Sequence, residues 1–322
     1  MDTGNTMGRR RGLGAGLGSL VLAACMSAGK AAEAPTTLNG FALTNPQVPI
    51  AEIRAGGVPR DGIPAIDQPV FVAPASARFL RDDDLVVSFS EGGETRAYSL
   101  RILVWHEIVN DTVGGRPVAV TYCPLCGTAM VFDRRAGERT LTFGVSGLLY
   151  QSDVLMYDRQ TESLWSQLAM KAVTGPMAKA ELKWLASEHL RFGAWRARYP
   201  KGQVLSVRTG HRRDYGMWPY EGYEASDRTM FPVPRHRADL PNKARVVGLV
   251  FGEDALAFPL NRLPPGQPVQ AFVGNLRVEL TFDAASESVR IRDLDTDAAV
   301  PSVKAYWFAW QAFYPKTRVW QP

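Results

Sequence analysis

Short apolar runs broken by turn residues constrain this chain more than any other feature. Residues 85–90, 96–99, 117–122, 129–134, 140–144 and 152–158 each read as a strand, and Gly92-Gly93 and Gly114-Gly115 punctuate them. Helical patterns are few: residues 100–110, residues 182–199 in pieces, and residues 305–313. Pro200 and Pro315 lie just past the last two and help to stop them. The expected fold class is therefore a β-rich α+β body of mostly antiparallel strands with a few short helices. With 46% hydrophobic and 21% charged residues in 322, collagen-like, coiled-coil and wholly disordered chains are excluded.

An internal echo runs through this pattern. Val86-Val87-Ser88-Phe89 resembles Val246-Val247-Gly248-Leu249, and Gly115-Arg116-Pro117-Val118 resembles Gly266-Gln267-Pro268-Val269. Trp195-Arg196-Ala197-Arg198-Tyr199-Pro200-Lys201 resembles Trp310-Gln311-Ala312-Phe313-Tyr314-Pro315-Lys316. Three likenesses in the same order suggest a duplicated unit, with chance similarity of short amphipathic strings as the alternative. The expectation is a main domain over residues 61–240 and a smaller, related subdomain over residues 241–322. Residues 25–60, rich in Ala, Gly, Pro and Thr, read as a tether.

Residues 1–24 read as an export signal rather than as fold. Arg9-Arg10-Arg11 precedes a twelve-residue apolar run, Leu13 to Ala24, too short to span a bilayer as a helix. The run ends Leu22-Ala23-Ala24-Cys25, which resembles a bacterial lipobox with Cys25 as the acylated residue; ordinary cleavage after Ala34 is the alternative. The Arg pair leaves both Sec and twin-arginine export open. The expected location is the periplasm or outer cell envelope, with the membrane reached through an N-terminal lipid and an envelope protein as a conceivable partner. The net charge is +5, of which residues 1–24 contribute +2 (three Arg against Asp2). So mild a balance does not point to nucleic acid.

Of three cysteines, lipidation would use Cys25, leaving Cys123 and Cys126 as a single C-x-x-C. Cys123-Pro124-Leu125-Cys126-Gly127 sits between two strand-like runs; Pro presets φ, and Gly permits a positive φ after the second Cys. Rubredoxin and zinc-ribbon knuckles use such a turn to aim two sulfurs at one point, but a closed site needs four ligands. Cu or Zn here would therefore draw on His106 or His211. Thiol–disulfide exchange is the rival enzyme reading, weakened because a strand rather than a helix follows the second Cys. An envelope interaction protein with a structural disulfide is the third.

The supporting residues each carry a plainer reading. His106 lies on an apolar helix, where a buried neutral histidine is common, and His211 lies in a basic loop. His189 and His236 read as surface residues, and Met130 and Met156 as core filling. Asp153 and Asp158 fall on opposite faces of their strand and so cannot form a glycosidase-type dyad. Asp158-Arg159-Gln160-Thr161-Glu162-Ser163 reads as a hairpin turn, with Asp158, Arg159, Glu162 and Trp165 as further pocket candidates. No nucleophile elbow, zincin, phosphate-binding glycine loop or haem-attachment motif is present.

Longer strings carry a resemblance. Ile63-Pro64-Ala65-Ile66-Asp67, Trp105-His106-Glu107-Ile108-Val109-Asn110-Asp111, Thr121 through Ala129, Thr142 through Gly147, Tyr157 through Ser163 and the Trp307–Pro315 tail are similar to the family called domain of unknown function 3179. The resemblance spans residues 55 to 320 and implies an exported prokaryotic protein with no established activity. It marks Cys123, Cys126, His106 and the Asp158–Glu162 turn as the site candidates.

Overall fold

A computed structural model describes residues 36–322. It is 41% strand and 12% helix, and its main strands form five small sheets arranged as a five-bladed β-propeller. This corrects the expected α+β body with two subdomains. The helices, Leu100–His106, Phe192–Arg198, Glu221–Glu224 and Trp307–Phe313, are two turns or fewer and cannot supply a layer of their own. All but Glu221–Glu224 fall within the expected helical stretches, but part of each stretch is strand: Trp184–Leu185 and Glu188–Arg191 precede the helix within residues 182–199, Ile108–Val113 takes over the end of residues 100–110, and Val303–Tyr306 includes the first two of residues 305–313.

The boundary at residue 240 disappears as well. One buried cluster holds Cys123, Cys126 and Met156 together with Val246, Trp307 and Trp310. The expected tether is also corrected from residue 36 onward: Ile53–Ala55 adds an edge strand to Phe143–Tyr150, and Phe41, Leu43 and Ile53 are buried. The proposed signal, Cys25 and the start of the tether lie outside the described residues. Among the described residues no helix is long and apolar enough to cross a membrane.

Two blades build the candidate site. The knuckle blade contains Ile108–Val113, Arg116–Cys123, Thr128–Asp133 and Trp184–Leu185, so the two strands expected on either side of the cysteines form a hairpin with the turn at its tip. A neighbouring blade contains Phe143–Tyr150, Asp153–Asp158, Leu164–Ser166 and Lys171–Thr174 beside Ile53–Ala55. Gln151 and Ser152, both with positive φ (53° and 68°), make its first turn, as a two-residue hairpin connection requires.

The sequence echo falls on two blades of this one propeller. In the first, Glu188–Arg191 flanks the hairpin Leu85–Glu91/Glu94–Ser99, runs into helix Phe192–Arg198, and returns as Gln203–Leu205 parallel to the second hairpin strand. In the other, Val303–Tyr306 flanks Arg245–Phe251/Asp254–Pro259, runs into helix Trp307–Phe313, and returns as Arg318–Val319 in the same parallel sense. Both helices close on a tyrosine in nearly the same conformation, Tyr199 at φ −123° and Tyr314 at φ −120°. The fifth blade is the meander Pro268–Val273, Leu276–Asp283, Ser288–Asp293.

Candidate metal centre

Cys123 ends one strand of the knuckle hairpin and pairs with Thr128, which begins the next. The backbone between them must reverse tightly, and Gly127 does so at φ +62°. A side chain there would meet the ring of Tyr306 at 3.1 Å, so the turn also needs the absence of a Cβ. Beneath the tip, Gln167 donates to Thr121 (2.7 Å) and accepts from Thr128 (2.7 Å), which fixes the two strands in register. The Tyr306 N–H donates to the Cys126 carbonyl (2.9 Å), and the Tyr223 hydroxyl to the Leu125 carbonyl (2.9 Å).

The third member of the cluster is Asp153, from the neighbouring blade. Ligand atoms of Cys123, Cys126 and Asp153 all lie within 4.8 Å of one another, and all three residues are buried. Asp153 Oδ2 accepts from the Leu168 N–H (2.9 Å), whereas Oδ1 is buried without a hydrogen-bond partner. The Cys126 thiol donates to the Ser152 carbonyl (3.3 Å), which the positive-φ turn aims at the pair. Glu107, buried and left-handed (φ 56°) at the end of helix Leu100–His106, adds a second carboxylate to the surroundings of Asp153.

Burial dominates the electrostatics. It pushes the Asp153 carboxyl up to about 7, and it pushes Glu107 up to about 8 with help from Asp153. Burial likewise raises the Cys123 thiol and raises Cys126 strongly. Among the described residues no Lys or Arg forms an ion pair with Asp153 or Glu107. Four acidic groups thus converge without a protein cation. A divalent ion bound there would supply that charge, and two sulfurs with a carboxylate oxygen are a donor set zinc accepts.

The structure does not bring the expected histidines to the sulfurs. His106 faces the Pro64 carbonyl through Nδ1 (2.7 Å), where only an N–H fits, and its Nε2 accepts from the Tyr215 hydroxyl (2.8 Å). Both ring nitrogens are occupied, and burial pushes the ring down to about 4, which keeps it neutral. His211 is exposed, its ring 5.5 Å from that of His106, in the same irregular loop as Tyr215. His189 is buried in a strand rather than placed on the surface, while Met130 and Met156 fill the core as expected.

The Asp158–Glu162 turn is structural in its contacts. Asp158 accepts from the Thr161 N–H (2.6 Å), the Thr161 hydroxyl (2.8 Å) and Trp165 Nε1 (2.8 Å). Arg159 pairs with Asp67 (3.1 Å) and Glu162 with Arg60 (2.8 Å), so the turn clamps residues 60–67 to the blade. Trp165 is buried and packs edge-on against Phe143. Asp153 and Asp158 do face different partners, as strand parity requires.

No curated protein and no solved structure matches the chain. Residues 60–317 match the family described as protein of unknown function DUF3179, and since that match covers most of the chain, the protein belongs to this family.

Proposed function

We propose that this is an exported, lipid-anchored protein of the cell envelope that binds one zinc ion through Cys123, Cys126 and Asp153, with Glu107 as a neighbouring buried carboxylate. The observation that supports the reading is the buried, cation-free convergence of two thiols and a carboxylate whose Oδ1 has no partner. A buried polar atom left unpaired costs roughly 1–3 kcal/mol, and metal ligation removes that cost. Copper(I) is the poorer fit because it favours sulfur over carboxylate oxygen. Thiol–disulfide exchange is disfavoured because its thiolate must be easy to form, whereas burial raises both thiols here. Export and anchoring rest on the basic start, the apolar run and Cys25.

The test is to purify the chain without chelators under anaerobic conditions and measure metal and free thiols together. One zinc per chain, lost in both Cys123→Ser and Asp153→Asn, is expected. Metal-free protein that takes up no added zinc overturns the metal reading. For the anchor, Cys25→Ala should move the protein from the membrane fraction to the soluble fraction.

A further inference from the structure

Cys123, Cys126 and Asp153 are 1%, 0% and 0% exposed, so an ion or a thiol reagent reaches them only when a neighbouring part of the chain moves. Residues 206–244 supply such a part. They link the two echoed blades, from Gln203–Leu205 to Arg245–Phe251, and among these described residues the four-residue helix Glu221–Glu224 is the one regular element. Connections of such length with so little structure of their own are usually functional, lids among them.

The segment is fastened near both ends. The Tyr215 hydroxyl holds His106 Nε2 (2.8 Å), and the Gly216 carbonyl accepts from Arg101 Nη1 (3.2 Å). Further on, the Arg235 carbonyl accepts from Gln311 Nε2 (2.7 Å) and the Arg237 carbonyl from Trp307 Nε1 (3.0 Å). Between these points the chain lies against the knuckle. Tyr220 and Tyr223 pack on the cluster that contains both cysteines, and the Tyr223 hydroxyl donates to the Leu125 carbonyl between them (2.9 Å). Lys243 holds the same helix from its other end. Its ammonium sits 3.3 Å from the centre of the Tyr223 ring and donates to the carbonyls of Tyr223 (2.7 Å) and Ser226 (3.0 Å). Met217 and Met230, before and after the helix, are exposed. A stretch fixed at its ends and held in the middle by a few side chains opens at less cost than unfolding the blades.

We propose that residues 217–234 form a cover over the sulfurs, latched by Tyr223 and Lys243, and that metal enters and leaves beneath it. The cargo rests on the zinc reading above; the cover is tested on the thiols alone.

The full chain, reduced and freed of metal with a chelator, is reacted with excess iodoacetamide, and modification of Cys123 and Cys126 is followed peptide by peptide. Tyr223→Phe and Lys243→Met, checked for folding by thermal melting, should each speed modification about fivefold or more, the effect of one lost hydrogen bond on the open fraction. Ser88→Ala removes the hydroxyl that holds Trp195 Nε1 (2.9 Å) in another blade and should leave the rate unchanged. Unchanged rates in both latch variants overturn the proposal. Equal acceleration by Ser88→Ala also overturns it, since the thiols would then react through global unfolding. Added zinc separates the two readings. Loading of the metal-free chain should quicken in the latch variants by the same factor, and loading at the original rate overturns entry beneath the cover. A chain that takes up no zinc overturns the metal reading, while the alkylation rates still decide the cover.

Discussion

The two echoed blades solve one packing problem in opposite ways. Each buries a tryptophan on its short helix, Trp195 or Trp310, and each must satisfy the indole N–H. In the first blade Trp195 Nε1 donates to Ser88 (2.9 Å) on the central hairpin, and Gly202 leaves room for the ring: a Cβ there would lie 2.6 Å from it. In the other blade the roles are exchanged. Gly248 stands where Ser88 does, with space for a Cβ only 2.3 Å from the Trp310 ring, and Thr317, in the place of Gly202, accepts from Trp310 Nε1 (3.0 Å). Gly202 and Thr317 are equivalent by their own bonds, each donating its N–H to a tyrosine carbonyl, Tyr199 or Tyr314, at 2.9 Å. A buried indole thus needs one hydroxyl and one glycine around it, and which strand supplies which is free to change.

His189 and Lys304, which stand opposite the echoed Val87 and Val247 in the two strand registers, give the largest predicted difference between the blades. Burial pushes His189 down to about 3 and Lys304 down to about 8. For His189 the unfolded chain takes up a proton below its ordinary value near 6.5 while the folded protein does not. Its contribution to stability is therefore complete above about pH 6.5 and is lost as pH falls toward 3. Urea unfolding at pH 7 and pH 4 should show a loss of about 3 kcal/mol that His189→Gln removes. For Lys304 the same sign holds in another window: stability falls as pH drops from about 10.5 toward 8, and Lys304→Met should flatten that region.

Forcing one blade's solution onto the other comes next. Gly248→Ser should cost about 2 kcal/mol by displacing the Trp310 ring. Adding Thr317→Gly in the same chain should recover part of that loss, because the ring regains space on one side and a hydroxyl on the other. Simple additivity of the two changes in chemical denaturation would break the comparison. Ser88→Ala is the smallest change, about 1 kcal/mol from an orphaned indole N–H.

The sequence made the knuckle legible because its chemistry is local: two flanking strands, a Pro, and a Gly whose positive φ the hairpin tip uses. The echo was legible too, although it marks two blades rather than two subdomains. A propeller blade and a subdomain begin with the same hairpin, and packing across residue 240, with Cys123 and Cys126 in one buried cluster with Val246 and Trp310, tells them apart. Asp153 was hidden because the neighbouring blade delivers it to the sulfurs, and local spacing carries no sign of that. His106 and Glu107 show the limit most sharply. They are adjacent in sequence, yet the left-handed turn at Glu107 leaves the histidine beside Pro64 and Tyr215 and places the carboxylate near Asp153.

The bond from the Tyr306 N–H to the Cys126 carbonyl sets an order of events during biosynthesis. Both cysteines and Asp153 leave the ribosome long before Tyr306, and Tyr314, whose hydroxyl bonds the Leu168 carbonyl (2.6 Å), follows later still. Until the last stretch of chain emerges, the knuckle lacks its carboxyl-terminal wall and its thiols lack that shelter from oxidants. A chain cut short before residue 306 would carry every one of the three clustered ligands and still leave them unprotected.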